Sequence, residues 1–172
     1  MARRVERAIL CYLADGTPLW PGDRLARVQA LQWMFFERYS HEPYIAVARF
    51  VRLFLKKPDD PRPPELDKRG HQALGVMEGH LARNDDFVTG RLTIADIALF
   101  AYTHCAGEAG FDLGGYSAVR AWIDPCLAQP GVTAMSSPRS RWRAAHPAFR
   151  PGSTAICPPS RGPTARAASI AG

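Results

Sequence analysis

The sequence predicts an all-α protein, a helical bundle followed by a disordered C-terminal tail. Three observations lead there. Apolar residues recur at spacings of three and four through the first 129 residues with almost no strict alternation, the period of helices and not of strands. GRLTIADIAL, residues 90–99, reads as a capped helix start filled with apolar side chains on nearly every face. From Pro130 the chain turns to Pro, Arg, Ser, Ala and Gly, with too little apolar surface to offset the entropy of ordering it.

The elements follow in order. Residues 5–14 form a short helix, ended by the Gly and Pro of DGTPLWPGD. Asp23 can cap a second helix, whose apolar stripe Leu25, Val28, Leu31, Phe35, Tyr39 runs to about Ser40. Trp33, Phe35 and Phe36 are expected in the core. Pro43 allows a bend without a loop. Beyond it Tyr44, Val47, Ala48, Val51 and Leu55 make an apolar stripe, and Arg49, Arg52 and Lys56 line the opposite, solvent-facing edge.

KKPDDPRPPE carries four prolines and is expected to be a loop throughout. A third long helix spans about Glu65 to Asn84, with Leu66, Ala73, Leu74, Met77 and Leu81 inward. Thr93 and Asp96 have the spacing of a capping box, each side chain reaching the other's backbone N–H, with Leu92 and Ile97 at the staple positions. The helix they open, with Ile94, Ile97, Ala98, Ala101 and Cys105 on one face, belongs at the centre of the bundle. A last helix carries Val119, Trp122, Ile123, Cys126 and Leu127, and Pro125 predicts a kink or an early end.

Composition narrows function. The net charge of +6 comes from six arginines between Arg139 and Arg166, because the first 129 residues hold 16 basic and 16 acidic side chains. The tail shows no aromatic interleaving, so specific nucleic-acid binding is not expected. Apolar runs such as IALFAY fall far short of the roughly 20 residues that span a bilayer, so no membrane association is expected. Cysteines at 11, 105, 126 and 157 form no CxxC pair and read as reduced thiols of a cytoplasmic protein. No His/Cys cluster has ligand spacing, so no metal is expected.

VTGRLTIADIALFAY and AILCYLADGTPLWPGDRLARVQALQWM, with RVQALQWMFFERYSHEPYIAVARF between, resemble the C-terminal helical domain of the glutathione S-transferase family over about residues 8–124. The resemblance implies a bundle of that domain's type in residues 16–129. It makes residues 1–15 a remnant of the last helix of a thioredoxin-like domain, and leaves 130–172 as an Arg/Pro-rich tail. It implies conjugation of the glutathione thiolate to an electrophile, glutathione as co-substrate with no permanently bound cofactor, and a homodimer.

Aligned with the family's ES-x-AIL, Val5 and Glu6 stand where the γ-glutamyl end of glutathione would be held, and Glu6 would repel its carboxylate. The expectation is therefore a truncated or frame-disrupted relative with no catalytic residue of its own, inactive alone. A non-enzymatic helical interaction module and a degenerate fragment are the alternatives. Tyr39, His41, Tyr44 and Tyr102 are the candidates for bordering the electrophile pocket, while Thr93 and Asp96 are structural. Helix faces that meet a partner in the family would be bare here and drive self-association.

Overall fold

In the computed structural model, which describes residues 6–55, 59–88 and 90–135, the chain is helical, with no strand among the described residues. These residues fall within one compact unit, Met1–Ser137. The predicted tail is described only as far as Met135: Pro130 and Gly131 turn, and the rest lies outside the described residues.

Helix α1 (Glu6–Ala14) ends before Gly16, whose φ of 72° suits a residue without a Cβ. Asp23 caps α2 (Arg24–Phe36) by accepting the Ala26 N–H at 2.9 Å. Instead of stopping, α2 passes through a π-type turn, Glu37–His41, into α3 (Glu42–Phe50) and a second π-type stretch, Val51–Leu55. Pro43 explains the first: it offers no N–H to the Tyr39 carbonyl and its ring would press on it. Widening the turn, with Glu42 N–H donating to Glu37 O, carries the helix past the proline, as predicted.

Helix α4 (Pro63–Leu81) begins inside the proline-rich segment expected to be all loop. Pro63 and Pro64 occupy its first turn, where no intrahelical N–H is needed. Its buried face is the predicted one, Leu66, Ala73, Leu74, Met77 and Leu81. Helix α5 (Ile94–Thr103) packs on α1, α2, α3 and α6. Helix α6 (Ser117–Leu127) continues two residues past Pro125 and ends within that turn, with Val119, Trp122, Ile123 and Cys126 buried.

Three expectations about faces are corrected. Leu25, Val28, Phe35 and Tyr39 point outward, and Ala26, Ala30 and Met34 face the core instead. Small residues on the inner face fit α2 against its neighbours, so the large side chains must lie outside. Trp33 and Phe36 do pack against the core, but Phe35 does not. Nor are Arg49 and Arg52 a solvent edge. Arg49 is buried and pairs with Glu108 at 2.6 Å; Arg52 grips both Asp67 oxygens at 2.7 Å and donates to the Ala109 carbonyl. Lys56 lies outside the described residues. Ile97, expected inward, is 40% exposed.

Candidate functional site

The capping box forms as predicted. Thr93 N–H donates to Asp96 Oδ2 at 2.8 Å and the Thr93 hydroxyl accepts the Ala95 N–H at 3.3 Å. Asp96 also accepts the Trp122 indole N–H at 3.0 Å, so one buried carboxylate both starts α5 and ties it to α6. This fixes the height of α5 in the bundle, and with it the side chains that α5 presents one turn later.

Those side chains help wall a 460 Å³ cavity between α1, the π-type turn after α2 and α5. Ile9 and Leu10 come from α1, Ile97, Ala98, Ala101 and Tyr102 from α5, and Met135 from the segment after α6. At its polar end Arg7 forms an ion pair with the buried Glu37 and donates to Met34 O at 3.3 Å. An apolar concavity of this size with one anchored charged pair suits a small organic molecule that carries a polar group.

The four candidate pocket residues are spread out. Tyr102 lines this cavity; Tyr44 lines a separate 190 Å³ cleft with Phe36, Ser40 and Arg69. Tyr39 is 72% exposed on the outer face of the helix. His41 is fully buried. The Thr103 hydroxyl donates to Leu99 O at 2.7 Å, so it accepts from His41 Nε2–H at 2.9 Å. That tautomer leaves His41 Nδ1 buried without a partner, and burial pushes the pKa of the ring down to about 3.

Arg7, Glu37 and Met135 escaped the sequence reading. The carboxylate of Glu37 inside the apolar run QWMFFER was the one available signal, since a buried charge needs a partner. Burial pushes the Cys11 and Cys105 thiols up, and Cys126 up to about 12, so none is poised as a thiolate. Among the described residues no group of three or more His, Cys, Asp or Glu could hold a metal ion.

Residues 31–130 match the family model described as glutathione S-transferase, C-terminal domain. A crystal structure of a glutathione S-transferase from Xanthobacter autotrophicus Py2 is 47% identical, covering 78% of this chain and 67% of that one, with a TM-score of 0.75. Ure2p in complex with glutathione is 25% identical over 72% of this chain and 61% of its own, at a TM-score of 0.63. The glutathione S-transferase-like protein tpcF of Aspergillus fumigatus is 26% identical over 141 residues, 74% of this chain. The chain spans 63% of the length of that curated relative.

Proposed function

Because the chain belongs to the glutathione S-transferase family through its C-terminal helical domain, we propose that it forms the electrophile-side wall of a transferase that joins the glutathione thiolate to an electrophilic carbon. The observation that carries this reading is the mainly apolar cavity beside α1 with Tyr102 in its wall. In this reading Tyr102 packs the apolar body of the electrophile and the Arg7–Glu37 pair orients a polar substituent. Residues 1–15 serve as the last helix of the thioredoxin-like half, and within them Ala14 packs with Met34 of α2 and with Ile94 and Ala98 of α5.

By itself the polypeptide is inactive. Activation of the glutathione thiol needs a donor beside its sulfur, and Val5 and Glu6 replace the residues that would receive the γ-glutamyl end. The exposed apolar side chains of α1, α2 and the π-type turn, among them Tyr12, Leu25, Phe35 and Tyr39, are the contact surface for a second copy. The setting is cytoplasmic, and no helix among the described residues is long and apolar enough to cross a membrane.

The test combines calorimetric titration with reduced glutathione, a conjugation assay on an activated aryl halide, and binding of that halide alone. Halide binding that Tyr102→Ala or Ala101→Trp weakens, with no turnover, is the expected outcome. Turnover by the purified chain would overturn the inactivity. Halide binding indifferent to both substitutions would remove the cavity from the reading.

A further inference from the structure

One wall of the cavity has its backbone tied down by an imidazole. After α6, residues 128–135 run exposed to solvent, with only local bonds at first: Gln129 N–H to Cys126 O at 3.3 Å and Val132 N–H to Gln129 O at 3.1 Å. This strap lines two cavities. Gln129 to Val132 close a 350 Å³ space against Leu92, Ile97 and Phe100, and Met135 closes the 460 Å³ cavity against Ala98, Ala101 and Tyr102. At Met135 it is tied by the backbone N–H, which donates to His104 Nε2 at 2.8 Å.

The chemistry of that bond admits one state of the ring. His104 lies parallel to Phe100, centroids 4.4 Å apart, and its Nδ1 faces Phe100 O at 2.7 Å. A carbonyl accepts only, so Nδ1 carries a proton; an amide N–H donates only, so Nε2 must be bare. Both bonds exist together only in the neutral ring. A second proton would set an N–H on Nε2 against the N–H of Met135.

We propose that His104 is a positioning residue whose neutral imidazole pins the Met135 strap over the cavity and whose protonation releases it. Among the described residues, the following charged groups face this point. Arg49, paired with Glu108, places Nη1 4.0 Å from Met135 Sδ on the α3 side. Asp112, Arg120 and Asp124 line the open concavity that His104 borders on the α6 side. Across the apolar cavity stands the Arg7–Glu37 pair. Among the described residues no carboxylate is bonded to His104 to hold its second proton in the pinned state, so protonation and release are coupled. Loss of one hydrogen bond shifts the pinned-to-free ratio about two- to tenfold. The consequence for catalysis rests on the electrophile-site reading of the cavity, whereas the test below needs no substrate.

Methyl-labelled methionine NMR on the full chain, from pH 8 to 5, reads the strap directly. The Met135 methyl should move toward its free-chain position with the midpoint of the His104 ring, while the buried Met34 and Met77 methyls stay fixed and report an intact fold. His104→Gln, whose side-chain carbonyl accepts the Met135 N–H at every pH, should keep the methyl pinned throughout; His104→Leu should free it throughout. A Met135 methyl that ignores the titration of His104, or that keeps its place in His104→Leu, overturns the latch. Failure of the aryl halide to bind the cavity with this titration intact would remove the electrophile reading and leave the latch standing.

Discussion

Buried His41 makes the domain sensitive to acid in a way that can be separated from every other group. The ring is fully enclosed, its Nε2–H is used by Thr103, and burial holds its pKa at about 3 against 6.5 for an ordinary histidine. The folded pKa is depressed, so its stability contribution is complete above pH 6.5 and lost as pH falls, because the unfolded chain takes up a proton that the folded chain refuses. The free energy of unfolding drops by about 2 kcal/mol between pH 7 and 5 from this group alone, and by about 4 kcal/mol on reaching pH 3. His41→Gln retains a donor for Thr103 and has nothing to titrate. Urea unfolding of both proteins at pH 7 and pH 5 gives the two differences, and the variant should lose about 2 kcal/mol less than the parent. Carboxylates that titrate in this range contribute equally to both and cancel. Parallel losses in parent and variant would refute the reasoning, since they would mean that His41 is charged or solvated in the folded state.

Three other perturbations test the packing around the site. A Cβ on Gly70 would lie 2.3 Å from Phe111 Cζ, and that ring is buried, so Gly70→Ala should destabilise by about 1–3 kcal/mol in thermal unfolding. Glu78 reaches from α4 to start α6, accepting the Ala118 and Val119 N–H groups at 3.0 and 2.9 Å and the Ser117 hydroxyl at 3.2 Å. Burial works against its charge, but those donors hold the carboxyl below its usual range, so its contribution is present above pH 4.5 and lost below; Glu78→Ala should cost about 1–2 kcal/mol at pH 7. Arg7→Leu strands the Glu37 carboxylate and should cost about 3 kcal/mol, near the low end for such pairs because Arg7 keeps some solvent. Adding Glu37→Leu should recover most of that loss, a double-mutant cycle read by urea unfolding.

What the sequence made legible was local. The capping box, the Asp23 cap, the inward face of α4 and the passage through Pro43 each depend on residues within one or two turns. Tyr102 was legible as an aromatic on a central helix, and it does line the cavity. The charges were misplaced because their partners lie far off along the chain. Arg49 meets Glu108 from 59 residues away, and nothing in the spacing of Arg49, Arg52 and Lys56 distinguishes such a pair from a wet edge. Arg7 and Glu37 are likewise joined only by tertiary structure.

The error on α2 has a different cause. A hydrophobic period says that a helix has an apolar face, and the usual inference is that this face is the core. Helix α2 has two: a narrow one of Ala26, Ala30 and Met34 that packs inside, and a broad one of Leu25, Val28 and Phe35 that does not. The residues of the second are not those that the fold buries, so the sequence carries two apolar instructions of which the described fold uses one. Periodicity adds the two instructions together. Only burial separates them, and it leaves Leu25, Val28 and Phe35 on the outer face of α2.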